Sequence, residues 1–451
     1  MLQKTYSKKP RLTRLQIFNM SFGFLGIQFG FALQTGNASR ILQTFGADVE
    51  HLSLFWLAAP LSGMIIQPIV GYYSDRTWTK LGRRRPFFLA GALIAAISLA
   101  LMPNAALFTA ILPPLMIGAG MLMIMDAAFN VSMEPFRALV ADNLPKEQHG
   151  QGFSMQTFLI GAGAIIGSFL PFIFSEYLGI SKTADEGFVP QNVIWSFYVG
   201  AAILLLAIIW TVISTKEYSP EELRSFDEVV SEEIKEEQKG FMLVLKDFKN
   251  MPKTMKQLGL VQFFSWFALF SMWVFTTPAI AQHIYKLPTS DTSSAAYADA
   301  GNLTGVLFGV YNVVATAMAL CLPFFYRKFG KKKTHFLSLA ICGLGFISML
   351  FIEDKNLLFI PMIAVGIAWA SILATPYALL ANALPARKMG LYMGIFNFFI
   401  TLPQIVNGFF GGWIVKHIFQ GQAIYSLTMA GVFMLLAAVT TLWISEEKIK
   451  K

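Results

Sequence analysis

Apolar residues along the chain form long blocks that are separated by short polar turns. Each block is roughly 20 residues long, the length that a helix needs to cross a bilayer core of about 30 Å. We place the blocks at residues 16–38, 52–73, 86–103, 107–141, 152–178, 192–214, 257–285, 302–327, 334–352, 356–383, 390–416 and 421–444. The pattern therefore predicts an all-α membrane protein with twelve transmembrane helices, numbered here as spans 1–12.

One long polar segment, residues 216–256, interrupts the series after the sixth span. Six spans on either side of a central segment is the layout of transporters built from two related halves. We therefore expect an N-terminal six-helix bundle over residues 1–215, a cytoplasmic linker over 216–256 and a C-terminal six-helix bundle over 257–451. Mixed charges and spaced apolar residues predict that the linker is a surface helix that mainly tethers the two bundles.

Composition and charge agree with a membrane location. The chain is 55% hydrophobic and only 14% charged, whereas roughly a quarter of the residues in soluble domains are charged. With the N-terminus in the cytoplasm and the spans alternating, about 29 of the 35 Lys and Arg residues fall in cytoplasmic segments. Cytoplasmic loops carry this excess of positive charge. The net charge of +9 therefore reflects membrane orientation rather than nucleic-acid binding, and both termini are expected in the cytoplasm.

The sequence contains no motif that is typical of an enzyme. We find no Walker motif, no Ser/His/Asp arrangement and no cluster with metal-ligand spacing, so we expect neither a cofactor nor a metal site. Cys321 and Cys342 both fall inside predicted spans, where packing is the expected role. The first apolar run is too long for a cleaved signal and should remain as span 1.

Two short basic turns lie between predicted spans. The first reads GYYSDRTWTKLGRRRPF over residues 71–87, between spans 2 and 3. The second, over residues 326–333, follows span 8 and lacks a counterpart of Asp75. Each turn follows the second span of its half, so together they are a weak internal repeat.

Asp126 is the most informative polar residue because it lies inside the fourth apolar block. Ionisable groups are costly at membrane depth and by default indicate function; the alternative is that span 4 ends early. On a helix, Asn130 and Arg137 share its stripe, but Arg137 lies roughly 16 Å further along the axis and can pair with Glu134 instead. A buried carboxylate without a cation nearby tends to take up a proton. We therefore hypothesise that Asp126 is the proton-coupling site.

Neutral amides inside several spans indicate a substrate pathway. Such amides, together with the frequent aromatic residues, suit a neutral polyhydroxylated ligand such as a sugar. The candidate pathway residues are Gln34, Asn37, Asn130, Glu134, Arg137, Asn312, Asn397 and Gln404.

Glycines and prolines inside the spans carry separate predictions about helix shape. Gly161, Gly163 and Gly167 have a small-residue spacing that predicts close helix packing in span 5. Pro376 and Pro403 predict either breaks or packing kinks in spans 10 and 11.

The chain resembles a known family at several positions in order. GYYSDRTWTKLGRRRPF at 71–87 is similar to the cytoplasmic signature of the major facilitator superfamily, in the extended form of plant sucrose transporters and their animal and bacterial relatives. Further matches are GIQFGFALQ at 26–34, MDAAFNVSMEPFRALVAD at 125–142, ATPYALLAN at 374–382 and GIFNFFITLPQIV at 394–406.

The resemblance implies a bacterial member with the major facilitator fold, acting as a monomer in the inner membrane. It implies symport of protons with a disaccharide or other glycoside, of the sucrose or maltose class, by alternating access. It associates Asp126 with proton coupling, Arg137 with transport and the basic turn with the conformational switch. Ion pairs and helix-end contacts that depend on conformation would supply this gating. The candidate gating residues are Gly71, Asp75, Arg76, Gly82, Arg83, Arg84 and Arg85.

Departures from the plant pattern leave the identity of the sugar open. Span 7 reads VFTTPAIAQHIY at 274–285, without the acidic residues and arginine of the plant proteins, and Arg40 and Glu134 also differ. A uniporter or exporter of another small solute is the alternative within transport. A receptor without transport activity is a third reading, and the sequence shows no sensory domain for it.

Overall fold

The computed structural model describes residues 9–219, 221–222, 226, 251–383 and 389–445. Twelve helical spans in this part of the chain are long and apolar enough to cross a membrane. No β-strand occurs among the described residues, where Thr79 and Gly82 form an isolated bridge. The predicted all-α class with twelve spans is therefore confirmed.

The helices follow the predicted order, and several spans contain two segments. Spans 1–6 comprise Arg14–Ser21 with Gly23–Thr44, Val49–Phe55 with Ala58–Arg76, Arg85–Leu101 with the 3₁₀ turn Met102–Phe108, Pro114–Asn143, His149–Glu176, and Gln191–Ser214. A short 3₁₀ turn, Lys146–Gln148, precedes span 5. Spans 7–12 comprise Lys253–His283, Ala295–Phe329, Lys331–Ser348 with Met349–Phe351, Lys355–Leu358 with Phe359–Ala383, Met389–His417, and Ile424–Thr441.

Several predicted span limits were wrong: span 1 ends at Thr44 rather than at residue 38, and span 8 begins at Ala295 rather than at residue 302. At span 4 a proline explains the difference. Span 4 begins at Pro114 rather than at residue 107, because the chain before it continues span 3 as a 3₁₀ turn. Proline favours the first turn of a helix, where its missing N–H would be unpaired in any case. Pro376 and Pro403 lie inside continuous helices, so breaks at these residues were the wrong alternative. The predicted linker helix falls mostly on residues outside the described ranges.

The pairing of spans repeats after six. Spans 1–6 pack as the pairs 1–5, 1–6, 2–4, 3–4 and 3–6, and spans 7–12 pack as 7–11, 7–12, 8–10, 9–10 and 9–12. Span 5 contacts span 8 and span 2 contacts span 11, which are again equivalent pairs. The pairing of spans 1–6 is therefore repeated in spans 7–12, and we call these two sets of spans the first and the second unit.

Glycines bring span 5 close to its neighbours. A Cβ atom at Gly167 would lie 2.6 Å from the carbonyl oxygen of Phe29 on span 1. On the other side of span 5, a Cβ atom at Gly161 would lie 2.7 Å from the hydroxyl of Thr316 on span 8. The predicted close packing at these glycines is confirmed.

The two ends of the bundle differ in how the six-span units meet. We call the end that carries the 76–85 turn the basic end. At the opposite end, hydrogen bonds join the units: Ser39 Oγ donates to the Val274 carbonyl over 2.8 Å, and Ser53 Oγ donates to the Gly408 carbonyl over 2.9 Å. Arg137 and Asn397, which lie toward the basic end on spans 4 and 11, are exposed. These hydrogen bonds between the units therefore lie at the opposite end, whereas Arg137 and Asn397 are exposed toward the basic end.

Candidate functional site

Spans 1, 2 and 4 bring a set of polar side chains together, which we call the amide cluster: Gln34, Ser62, Gln67, Asp126 and Asn130. Gln34 Nε2 donates to Asp126 Oδ1 over 2.5 Å. Gln67 Nε2 donates to Asn130 Oδ1 over 2.6 Å, and Asn130 Nδ2 is 3.0 Å from both Ser62 Oγ and the Asp126 carbonyl. The predicted residues Gln34, Asp126 and Asn130 therefore lie together.

Asp126 is fully enclosed by the protein. Asp126 is 2% exposed and Gln34 is 1% exposed. The side chains within hydrogen-bonding distance of the carboxyl group in the described structure are neutral. Span 4 continues as a helix from Pro114 past Asp126 to Asn143, so the alternative of an early end to the span was wrong.

Three tryptophans occupy the corresponding position in the second unit. Trp266 and Trp273 on span 7 and Trp369 on span 10 have ring centroids 5.7–6.2 Å apart. We call them the tryptophan triad. Trp273 Nε1 donates weakly to the Tyr311 hydroxyl over 3.4 Å, whereas the buried Nε1 of Trp266 has no partner in the described structure.

Two members of the amide cluster and two members of the tryptophan triad lie at a similar depth. Measured from the opposite end of their helices, Asp126, Gln34, Trp273 and Trp369 are each about 15–18 Å along the axis, at 1.5 Å per residue. They also lie on spans 1, 4, 7 and 10, which are equivalent under the six-span repeat. A polar cluster and an aromatic cluster therefore occur near the middle of the two units.

The remaining predicted pathway residues are not brought into this cluster. Asn37 and Asn312 donate to carbonyl oxygens one turn back in their own helices, those of Leu33 and Phe308. Gln404 likewise donates to Ile400. Arg137 lies close enough to Tyr377 of span 10 for an electrostatic contact. The side chain of Glu134 falls outside the described part, so its predicted pairing with Arg137 stays a prediction.

At the basic end, Asp142 on span 4 holds two arginines of the turn. Arg83 Nη2 donates to Asp142 Oδ2 over 2.5 Å, and Arg84 Nε donates to the same oxygen over 2.9 Å. Arg84 is buried and also donates to Ser74 Oγ over 2.7 Å. The turn is thereby attached to spans 2 and 4.

Glu217, just beyond span 6, binds the backbone of the same turn. Its carboxylate accepts the amide hydrogens of Arg83, Arg84 and Arg85 over 2.8, 2.9 and 2.9 Å. These amides lead into span 3, so the carboxylate lies where a helix N-terminus favours negative charge. Arg85 adds a contact from Nε to Glu217 over 3.5 Å. Glu217 and Asp142 therefore define the geometry of the predicted gating segment.

Other predicted gating residues have local roles in the described structure. Gly82 has φ of +107°, a conformation that favours glycine. Arg76 lies over the ring of Tyr72, 3.6 Å from its centroid. Gly71 accepts at its carbonyl from Ser74 Oγ, and Arg85 Nη1 donates to the carbonyls of Val212 and Thr215. The side chain of Asp75 falls outside the described residues.

At the opposite end, Arg40 of span 1 is a buried residue that joins the two units. It is 1% exposed, and its Nη1 donates to Asn302 Oδ1 of span 8 over 3.0 Å, while its Nη2 is buried without a partner in the described structure. Nearby Asp299 is bound to Lys182 over 2.7 Å. The hydrogen bond to Asp299 raises the pKa of Lys182, so that amine stays charged well into alkaline pH.

One group of metal-ligand type residues occurs in the described part of the chain. Asp48, Glu50 and His51 lie together near the opposite end. Their polar atoms already have partners: Asp48 Oδ1 is bonded to His51 Nδ1 over 2.7 Å, and Glu50 is bonded to Lys416. The group caps a short helix and joins spans 2 and 11, and we assign no metal to it.

Sequence reasoning missed the residues whose hydrogen-bond partners lie on a neighbouring span or turn. Ser62 and Gln67 were not singled out, because one polar residue in a span is a weak signal. Glu217 looked like part of a charged linker. Two of the three tryptophans, Trp266 and Trp273, are seven residues apart on one helix face, so that spacing was an available signal.

Comparison with known proteins gives one family. The sequence profile described as Major Facilitator Superfamily matches residues 20–406 and 298–451. The sucrose transport protein SUT5 of Oryza sativa subsp. indica is 27% identical over 489 residues, which cover 97% of this chain and 89% of that protein. The sucrose transport protein SUC4 of Arabidopsis thaliana is 27% identical, covering 84% of this chain and 80% of that protein.

A fungal relative and two solved structures complete the comparison. The general alpha-glucoside permease of Schizosaccharomyces pombe (strain 972 / ATCC 24843) is 28% identical over 69% of this chain, but the match spans only 57% of that protein. A D-xylose-proton symporter has a TM-score of 0.67 at 15% identity, covering 97% of this chain and 100% of that one. The nucleoside transporter NupG has a TM-score of 0.65 at 14% identity, covering 96% and 98%. At these identities the structures support the fold alone.

Proposed function

The chain belongs to the major facilitator superfamily, and from this premise we propose that it is a secondary active transporter that moves a disaccharide or other glycoside together with protons. Asp126 is the proton-coupling residue. The sugar occupies the space between the amide cluster and the tryptophan triad, with Arg137, Glu134 and Asn397 along its path from the basic end.

The burial of Asp126 among neutral amides is the observation that carries this proposal. A carboxyl group that is 2% exposed and has no cation within hydrogen-bonding distance in the described structure is costly to keep charged. Such a group is well suited to bind a proton, to stay neutral while the transporter changes state, and to release the proton afterwards. A uniporter has no need of it, so the alternative of facilitated diffusion leaves this residue unexplained.

The sugar assignment rests on the chemistry of the amide cluster and the tryptophan triad, which complement each other. Amide groups can donate and accept hydrogen bonds with hydroxyl groups, and aromatic faces provide an apolar surface for the C–H face of a pyranose ring. The proteins that are similar over most of this chain are named sucrose transport proteins. Neutral glycosides of the sucrose or maltose class are therefore the expected substrates.

The proposed mechanism is alternating access between two rigid six-span units, residues 1–215 and 257–451, connected by the linker at 216–256. The excess of basic residues favours a cytoplasmic basic end, with both termini there and the protein acting as a monomer in the cell membrane. The contacts of Ser39 and Ser53 then close the outer side, and the site opens to the cytoplasm. The basic turn closes the inner side in the alternate state.

Uptake of labelled sucrose, maltose and monosaccharides into proteoliposomes tests the function. Accumulation is expected only with an inward proton gradient, and only for some of these sugars. Asp126→Asn should abolish accumulation but retain exchange of sugar at equilibrium, because the sugar contacts remain. Asp185→Asn, at an exposed loop carboxylate, is the matched control and should behave as wild type. Gradient-driven accumulation by Asp126→Asn would refute the coupling role, and a lack of uptake for every sugar would refute the substrate class.

A further inference from the structure

Two buried oxygen atoms in the amide cluster lack partners, and they belong to the same pair of residues. Gln34 Nε2 donates to Asp126 Oδ1 over 2.5 Å. The other oxygen of that carboxyl group, Asp126 Oδ2, and the amide oxygen, Gln34 Oε1, are both buried without a hydrogen-bond partner in the described structure. Buried polar atoms without partners are rare in folded proteins, and each needs an explanation.

The chemistry of the carboxyl group and the amide group explains the two unpaired oxygens. An ionised carboxylate can only accept hydrogen bonds, whereas a protonated carboxyl group has one O–H donor. A carboxylic acid and a primary amide are therefore complementary: the amide N–H donates to one acid oxygen while the acid O–H donates to the amide oxygen. Both groups are planar, and their terminal torsions are soft enough to bring them into this ring. One proton on Asp126 Oδ2 would satisfy both unpaired oxygens at once.

We propose that Gln34 and Asp126 form an acid–amide pair that holds the transported proton, with the proton on Asp126 Oδ2 and donated to Gln34 Oε1. Gln34 is thus a positioning residue for the proton rather than only part of the sugar pathway. The inference rests on the proposed coupling role of Asp126 and adds its structural partner.

Neighbouring charges do not offer a competing partner in the described part of the molecule. On span 1, Arg40 lies about 9 Å further along the helix axis and is bonded to Asn302. On span 2, Ser62 and Gln67 are neutral, and the charged residues of spans 3 and 5 lie at the ends of those helices. On span 4 itself, Arg137 is roughly 16 Å away along the axis; Glu134 has no described side chain.

Loss of the proton changes the pair in a way that couples it to movement. The proton leaves Asp126 Oδ2 for water, and the carboxyl group becomes an anion that can no longer donate. Its Oδ2 and the carbonyl oxygen of Gln34 are then two acceptors facing each other, which repel. The ring can open only if span 1 shifts or Gln34 rotates, so proton release loosens span 1 from span 4 near the sugar site.

Infrared difference spectra recorded between acid and alkaline pH on reconstituted protein test this pair. Wild type should show the C=O stretching band of a protonated carboxyl group, and Asp126→Asn should lack it. In Gln34→Leu that band should move to higher frequency, because both hydrogen bonds to the acid are removed. Gln67→Leu, in the same cluster but bonded to Asn130, is the matched control and should leave the band in place. A wild-type band position in Gln34→Leu would overturn the acid–amide pair.

A second variant keeps the test decisive if Gln34→Leu does not fold. Gln34→Glu preserves the side-chain volume and puts two carboxyl groups in contact, which cannot both ionise readily. Its carboxyl band should persist to higher pH than that of wild type, by about one pH unit or more; an unshifted titration contradicts the pair. If Asp126→Asn still accumulates sugar, the proposed function fails. If it does not, but the Gln34 variants titrate and absorb as wild type, this inference alone fails.

Discussion

Replacing Glu217 should loosen the 76–85 turn, because its carboxylate binds the backbone of that turn. The carboxylate accepts three backbone amide hydrogens, from Arg83, Arg84 and Arg85, over 2.8–2.9 Å. Hydrogen bonds to a charged group contribute roughly 1.5–3 kcal/mol each. Water can reach part of the turn and replace some of the lost partners, so the lower limit applies. We therefore expect Glu217→Ala to lower the free energy of unfolding by about 3–5 kcal/mol.

The conservative variant separates charge from shape. Glu217→Gln keeps an accepting oxygen but presents an NH₂ group to amide donors, so it should lose about half of that stability, roughly 2 kcal/mol. Because Glu217 is only 7% exposed, added salt should change these losses little. Both variants should also slow the initial rate of sugar uptake, since the turn holds spans 2, 3 and 4 in register.

The assay is a reversible unfolding titration with SDS in mixed micelles, followed by helical circular dichroism. Glu221→Ala is the matched control: its side chain is exposed four residues further along, and we expect a change below about 0.5 kcal/mol. If Glu217→Ala unfolds within about 0.5 kcal/mol of wild type, the three hydrogen bonds do not hold the turn. Equal losses in Glu217→Ala and Glu221→Ala would show a general charge effect instead.

Two further predictions concern the packing of span 1. Gly167→Leu should destabilise the protein by about 2–4 kcal/mol, because its Cβ would lie 2.6 Å from the Phe29 carbonyl oxygen. Gly120→Ala is the control: a Cβ there meets no atom within 4 Å, so this variant should be nearly neutral in the same titration. Arg40→Met should leave stability unchanged or raise it by about 1–2 kcal/mol, because a buried guanidinium with an unpaired Nη2 is replaced by an apolar side chain; a loss of more than about 2 kcal/mol would contradict this.

The twelve spans could be predicted because their signal is local. A block of apolar residues long enough to cross a bilayer has few other solutions, and the basic residues between blocks set the alternation. Some errors arose at prolines, whose effect depends on neighbours: Pro114 starts a helix, while Pro376 lies inside one. In a packed helical bundle, neighbouring spans can stabilise the helix around a proline, and sequence alone does not reveal those neighbours.

The candidate site could be predicted only one helix at a time. Asp126 and Asn130 are four residues apart on one helix, so helical geometry relates them. The hydrogen bond between Gln34 and Asp126 depends on how far span 1 is shifted along span 4, and that shift is set by tertiary packing. Glu217 shows the same limit, because its partners are backbone amides, which leave no mark on side-chain sequence.

The two units have the same pairing of spans but different residues near their middle, and this difference bears on the mechanism. Asp126 and its amides lie in the first unit, whereas the tryptophan triad lies on spans 7 and 10 of the second. On the proposed function, a proton held between spans 1 and 4 would act inside one unit, and a sugar bound between the amide cluster and the tryptophan triad would act between units. Proton release can then weaken the contact of one unit with the sugar without breaking the packing of either. Opening the opposite end must still break bonds such as those of Arg40 with Asn302 and Ser53 with Gly408. The net contribution is roughly 1.5–3 kcal/mol for the bond of the charged Arg40 and about 1 kcal/mol for that of Ser53, small enough for new contacts at the basic end to offset.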